Sequence, residues 1–208
     1  MNWRQWLGLE PIQPPTPPTA PKLPIPDILT APVLPDLTTI NGFQLSDRCV
    51  NMIREFEHCF LDAYLDIAGV PTIGWGTIRI NDKPVRLGMT ITQEQADTLL
   101  MLEVRPYVVR LQYLVTVPIK QNQVDALADF MYNCGAGALA KSTLLRTINA
   151  RQPVTADMFL RWNKIKDPQT KKLVPVRGLT RRRQAEYDLY RSLLWTMNSS
   201  QRRSISVS

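Results

Sequence analysis

Apolar residues recur at helical spacing over Cys49, Met52, Ile53, Phe56 and Phe60, and Ser46 precedes them as an N-cap. The folded part therefore starts near Phe43. The pattern then breaks. Segments 63–66, 72–76 and 78–80 read as short strands, with Asn81-Asp82-Lys83-Pro84 as a turn. Thr92-Gln93-Glu94-Gln95 is a capping box. The stripe Ala96, Leu99, Leu100, Val104, Val108 and Leu111 predicts a long helix that Pro106 should kink or split. Pro118 marks the next boundary, and Val124, Leu127, Ala128 and Met131 predict another helix, ended around Gly135 and Gly137. Further helices are expected over 139–149, 154–163 and 181–195, the last with Ala185, Leu189, Leu193 and Leu194 facing inward. Between the last two, Asp167-Pro168-Gln169-Thr170 forms a turn flanked by short extended pieces. The order is one helix, a small sheet, one long helix and a helical cluster. That order predicts an α+β fold with a small sheet lobe (about 61–90), a larger helical lobe (about 92–196) and a ligand cleft between them.

Composition changes this picture at both ends. The chain has 208 residues and 17 prolines, ten of them between Pro11 and Pro35. Residues 1–45 thus read as a proline-rich arm, either a semi-rigid spacer or a tether that docks on a partner. Ile25, Ile28, Leu29, Val33, Leu34 and Leu37 suit docking, because a pure spacer has no use for apolar side chains. Trp3, Trp6 and Leu7 form one short apolar face, for a membrane, a partner or the chain's own domain. Residues 197–208 read as a polar tail. No apolar run approaches the roughly 20 residues of a membrane span, and the first residues lack the pattern of a secretory signal. With one histidine, His58, and dispersed Cys49, Cys59 and Cys134, zinc ligation is not expected, and no cofactor is expected either. The odd cysteine count suits a reducing compartment. Neither a Gly-x-Ser-x-Gly turn nor a phosphate-binding glycine loop is present. Carboxylates, hydroxyls and arginines are left to carry the chemistry.

The densest signal runs from Phe56 to Gly76. Glu57 falls at the end of an apolar-faced helix, Asp66 where a first strand meets its turn, and Thr72 at the start of the returning strand. A helix end followed by a tight hairpin can bring all three to one rim. Hydrolysing a glycosidic bond needs a carboxylic acid to protonate the leaving oxygen and a second polar group to handle water or act as nucleophile. Phe56 and Phe60 beside Glu57 make the apolar surroundings that favour a neutral carboxylic acid. A Glu–Asp pair nine apart is common in itself; the whole motif is far more specific.

The segment resembles the catalytic signature of the phage-type lysozymes, a muramidase family. The matching pieces are 53–57, Ala63-Tyr64-Leu65-Asp66 and 69–76. Further matches follow in order: 123–133 with Gly135, Ser142-Thr143-Leu144-Leu145 with Asn149, Phe159 with Trp162-Asn163, and Gly178-Leu179 with 181–183 and Glu186. The resemblance implies that 46–196 is a lysozyme domain hydrolysing the β-1,4 bond between N-acetylmuramic acid and N-acetylglucosamine in peptidoglycan. Glu57 would be the general acid, Asp66 would stabilise the oxocarbenium charge and orient water, and Thr72 would help to hold that water. It also implies synthesis in a bacterial host and action on the periplasmic wall, either as a free lysis enzyme that needs a holin or as a virion-borne one tethered to a phage tail or other virion protein by residues 1–45.

Two departures stand out. His58 and Cys59 follow the acid where the family has Gly-Leu; Cys59 should face the core, and His58 is either exposed and inert or close enough to tune Glu57. Trp75 replaces a common Tyr, as a sugar-stacking face or as core. Asn133 is a further candidate for substrate binding. The net charge of +7 is local: 161–191 holds ten basic and three acidic residues. Read as opening the last helix, Arg181, Arg182 and Arg183 sit where cations are disfavoured, so something acidic should face them. The resemblance implies an arginine partner for Glu57, with Arg181 as first choice and Arg182 second, and Glu186 should pair locally with one of the three. Lys164, Lys166, Lys171, Lys172 and Arg177 extend the patch, which would hold an anionic wall. Nucleic acid as the main partner is disfavoured, since the patch lacks interleaved aromatics. A virion structural protein on a lysozyme scaffold and a lytic transglycosylase remain the alternatives.

Overall fold

The computed structural model describes residues 43–192 apart from positions 67 and 168. Residues 1–42, with the Trp3/Trp6/Leu7 face and nearly all of the proline-rich arm, lie outside the described residues, as do Leu193, Leu194 and the tail 197–208. Helix α1 spans Asp47–Phe56, and the Ser46 hydroxyl accepts the Cys49 amide as the sequence predicts. The helix stops earlier than its apolar spacing suggests: Glu57 turns extended at the C-cap, and Phe60 opens a strand. Strands β1 (Phe60–Leu65) and β2 (Pro71–Gly74) form an antiparallel pair, with Tyr64 opposite Thr72. Residues 89–91 run along the other edge of β1, through bonds from the Ala63 amide to the Met89 carbonyl and from the Ile91 amide to the Leu61 carbonyl. A second pair, β3 (Arg79–Ile80) and β4 (Lys83–Pro84), closes at Asn81 and Asp82, both at positive φ as a tight hairpin demands. Lys83 and Pro84 are thus strand rather than turn.

Helix α2 runs unbroken over Gln93–Leu114, started by the reciprocal Thr92/Gln95 box. Pro106 neither splits nor ends it. Pro106 is exposed, so the carbonyl it deprives of a donor faces water rather than core. α2 is also the spine between the lobes. Ala96 and Leu99 pack with Ile73, Ile80, Val85 and Ile91 in the sheet lobe. Further along, Leu100, Val104, Val108 and Leu111 join the main core with Ile53, Leu127, Phe130 and Met131. Each such side chain removed from water contributes about 1.5–3 kcal/mol. Gly74 lets β2 approach this spine: it has φ +63°, and a Cβ there would meet Ile91 Cδ1 at 3.2 Å and Ala96 Cβ at 3.5 Å.

The helical lobe is built around α3 (Gln121–Cys134), which is buried on nearly every side. It ends at Gly135, whose φ of 86° favours glycine, and Gly137 lies inside the next helix, α4 (Ala136–Lys141). The single helix expected over 139–149 is two, because Ser142 ends α4 and caps α5 (Thr143–Asn149) by accepting the Leu145 amide. α6 (Ala156–Leu160) is shorter than its sequence signal. Strands β5 (Lys164–Lys166) and β6 (Leu173–Pro175) form a hairpin, with the Asp167 carboxylate accepting the Gln169 and Thr170 amides in the turn. Helix α7 covers Arg177–Arg191, starting four residues earlier than expected, and packs chiefly on α3 and α6. Among the described residues no helix is long and apolar enough to cross a membrane.

Candidate active site

Glu57 leaves the C-terminus of α1 with extended backbone, its amide still bonded to the Ile53 carbonyl, so its side chain projects off the helix end. The Glu57 side chain is 24% exposed, enough to meet a ligand while most of it is shielded. Arg182 Nη1 donates to Glu57 Oε1 at 2.6 Å. This corrects the expected order of arginines. The earlier start of α7 puts Arg181–Arg183 in its second turn, and the helical rotation points Arg182 and Arg183 inward, fully buried, and Arg181 outward. Arg181 lies over the Phe56 ring at 5.2 Å and lines an open groove with Leu160, Arg177 and Thr180, behind the acid rather than beside it. Something acidic does face the inward pair, as expected, but burial rather than a helix terminus demands it.

Asp66 closes the β1–β2 connection. Its Oδ1 accepts the Val70 amide at 2.8 Å, and its own amide bonds the Val70 carbonyl at 3.0 Å. Thr72 is buried, and its hydroxyl donates to the Val70 carbonyl at 3.0 Å, leaving the oxygen's lone pairs to accept. Tyr64 stands opposite Thr72, its ring tilted against Phe60 with centroids 4.6 Å apart. Burial first, then the charges of Asp66 and Glu57, push its phenol up, so both carboxylates lie around one tyrosine. Asp66 and Thr72 thus lie at the connected end of the β1–β2 hairpin, and Glu57 lies near enough to Tyr64 for its charge to act on the phenol.

The remaining candidates lie deeper or apart. Trp75 is half-buried where the two lobes meet and packs on both cores; its indole donates to Asp97 at 2.9 Å, and Arg54 lies over it at 5.9 Å. That is a packing role. The Tyr132 hydroxyl donates to the Trp75 carbonyl at 3.2 Å and ties α3 to the sheet lobe. Burial first, then the nearby Glu103 and Glu57, push this phenol far up, so it stays protonated. Asn133, also half-buried, accepts from the Cys134 thiol at 3.8 Å, and among the described residues no hydrogen bond joins it to Glu57. His58 is exposed, and partial desolvation lowers its pKa, so it is no cation beside the acid at neutral pH. Cys59 packs on the sheet-lobe core as expected.

Sequence reasoning missed Asp129. Its two oxygens take Arg182 in a fork, Oδ2 from Nε at 3.0 Å and Oδ1 from Nη2 at 2.8 Å, with both side chains wholly buried. Glu186, also wholly buried, pairs with Arg183 as expected and stands 3.8 Å from Arg182 Nε. Burial works to raise the Asp129 carboxyl, but the charge and hydrogen bonds of Arg182 leave it below its usual value. The one signal in the sequence is a carboxylate set between Ala128 and Phe130 in a helix otherwise apolar along Val124, Leu127 and Met131.

Comparison with known proteins bears on the family and the fold. The family model described as "Phage lysozyme" matches residues 54–186. The endolysin of Salmonella phage P22 is 40% identical over 128 residues, covering 60% of this chain and 88% of that protein. The solved endolysin from Escherichia coli O157:H7 phage FAHEc1 superposes with a TM-score of 0.68 at 40% identity, over 74% of this chain and 98% of that one. The muramidase domain of SpmX from Asticaccaulis excentricus superposes with a TM-score of 0.65 at 31% identity, over 72% and 99%.

Proposed function

Because this chain belongs to the phage lysozyme family, and is thus a glycoside hydrolase, we propose that it cleaves the β-1,4 bond between N-acetylmuramic acid and N-acetylglucosamine in bacterial peptidoglycan, as an enzyme of phage-driven wall degradation. The observation that carries this reading is Glu57 at the C-cap of α1, partly exposed and held through one carboxyl oxygen by Arg182. That bond fixes the carboxyl plane. The other oxygen then carries the proton to the glycosidic oxygen as the bond to the anomeric carbon breaks. Asp66, tethered to the Val70 amide, offers its charge to the developing oxocarbenium ion and orients the attacking water. Thr72, with its hydrogen spent on the Val70 carbonyl, accepts a hydrogen bond from that water. Arg182 is a positioning residue here, while Trp75 shapes the junction.

We read 46–196 as the catalytic domain, residues 1–45 as its tether and 197–208 as a tail. The exposed lysines of the β5–β6 hairpin, Lys164, Lys166, Lys171 and Lys172, suit steering toward an anionic wall. The test is to digest purified peptidoglycan with the wild type and with Glu57→Gln and to identify the ends by mass spectrometry. Reducing N-acetylmuramic ends are expected, with at least about a hundredfold loss in the variant, since general acid catalysis contributes roughly 10²–10⁴-fold. Anhydro ends would assign a transglycosylase instead, and no products from a folded wild type would refute the enzyme.

A further inference from the structure

Beneath the candidate acid, three carboxyl groups share two guanidinium groups. Asp129 takes Arg182 by a two-bond fork, Glu186 Oε1 takes Arg183, and Glu57 takes the remaining Arg182 amino group. Four of these five side chains are wholly buried; only Glu57 reaches solvent. Two cations balance two carboxylates. A third anion would leave an uncompensated charge in the interior, so the cluster holds one proton. Asp129, with both oxygens accepting from Arg182, is the poorest place for it. The choice lies between Glu57 and Glu186.

Glu186 Oε2 is buried and has no hydrogen-bond donor. As a carboxylate oxygen it has no donor and leans on the two arginine charges alone. With a proton on it, Glu186 can donate to the neighbouring Asp129 carboxyl. We propose that Glu57 and Glu186 hold a single proton in common across Arg182: Glu186 is ionised when Glu57 is protonated, and protonated when Glu57 is ionised. Glu186 is then a positioning residue for the acid, a role that rests on Glu57 being that acid. Both arrangements are electrically neutral: Asp129 and Glu186 against the two arginines in one, Asp129 and Glu57 in the other. Glu57 can thereby keep a proton 2.6 Å from an arginine that would otherwise favour its anion. The coupling is thermodynamic and needs no wire between the sites.

The ionisable groups around the cluster come from five elements: Glu57 and Cys49 from α1 and its cap, Tyr64 from β1 with Asp66 beyond it, Glu103 from α2 beside Tyr132, Asp125, Asp129, Tyr132 and Cys134 from α3, and Arg182, Arg183 and Glu186 from α7. Burial pushes both cysteine thiols up, so they stay neutral, as does Tyr132. Burial likewise drives Glu186 well up against the pull of Arg183, which supports a proton there in the ligand-free protein.

The test is infrared titration of the full chain with isotope-labelled glutamate, in the wild type, Glu57→Gln and Glu186→Gln, beside the pH profile of kcat/KM. In Glu57→Gln, position 57 is permanently neutral, so the protonated Glu186 band should vanish across about pH 5–8. In Glu186→Gln, the alkaline limb of activity should fall by about one pH unit, a shift typical of coupled carboxyls. A merely structural Glu186 would change thermal stability and leave that limb in place. The proposal is overturned if Glu186 stays protonated in Glu57→Gln, or if the limb of Glu186→Gln coincides with wild type. Should Glu186→Gln misfold, the Glu57→Gln spectrum still decides. Coupled bands in a wild type that releases no wall products would instead overturn the catalytic reading and leave the proton sharing intact.

Discussion

Arg181 and Arg182 are adjacent in the chain and opposite in their energetics. Arg182 is wholly buried and satisfies two carboxylates through three hydrogen bonds, whereas Arg181 rests an exposed guanidinium on the Phe56 ring. Removing one partner of a buried ion pair leaves its charge unpaired and costs about 3–5 kcal/mol. An exposed cation–π contact contributes about 0.5–1 kcal/mol. Arg182→Met should therefore lose about 3 kcal/mol or more in urea unfolding, and Arg181→Ala at most about 1 kcal/mol. Equal losses would contradict the assignment of the inward arginine. Choosing between them from sequence depended on where α7 begins. Arg177, Gly178 and Leu179 give no capping signal, and no side chain caps the Val176 position in the structure. The arginine pair itself was legible; which of its members faces Glu57 was not.

At the scale of elements, several ends are held by side chains from elsewhere in the chain. Asn122, 1% exposed at the start of α3, donates its amide group toward the Leu189, Tyr190 and Ser192 carbonyls at 2.9, 3.0 and 3.0 Å, closing the C-terminus of α7. Asn149, at the end of α5, does the same for α2: it donates to the Leu114 carbonyl at 2.9 Å and accepts the Thr116 amide at 3.0 Å. A buried carbonyl stripped of its partner costs about 1–3 kcal/mol. Asn122→Ala should lower stability by that amount and raise amide exchange selectively in the last turn of α7. Uniform exchange across the chain would argue that the residue only fills space. Local caps such as Ser46, Thr92 and Ser142 stand within three residues of the amides they serve, and Ser46 and Thr92 were readable for that reason. Asn122 acts across roughly seventy positions, and spacing carries no trace of such a bond.

Across the whole molecule, buried carboxyls set how stability responds to pH. Burial raises Glu186, Glu103 and Asp125 above their ordinary values, while Arg182 brings Asp129 below its own. For the raised groups, the unfolded chain ionises at the ordinary value and the folded chain keeps its protons. Their contribution is full below that value and is lost as pH rises through the folded one. Asp129 works the other way: its contribution is present above the ordinary carboxyl value and is lost as pH falls through the folded one. Thermal unfolding should therefore be highest near about pH 5, falling toward pH 8 and more steeply below about pH 4. A midpoint that climbs steadily from pH 5 to pH 8 would contradict this balance.

The sequence by itself determined the α+β order and the two lobes, and it set Glu57, Asp66 and Thr72 at a helix end, a hairpin turn and a returning strand, because each is written in short-range spacing. The motifs in order carried the resemblance to the family. A helix end, a tight hairpin and a returning strand leave few ways to arrange three residues within sixteen positions. Only the tertiary structure decided what lies beneath Glu57. Asp129 on α3 stands more than fifty residues before Arg182 and Glu186 on α7, and although the sequence marked the latter two, nothing in it joined them to Asp129. Burial makes them consequential: out of water, charges must be matched group by group, and that matching depends on which helix faces which.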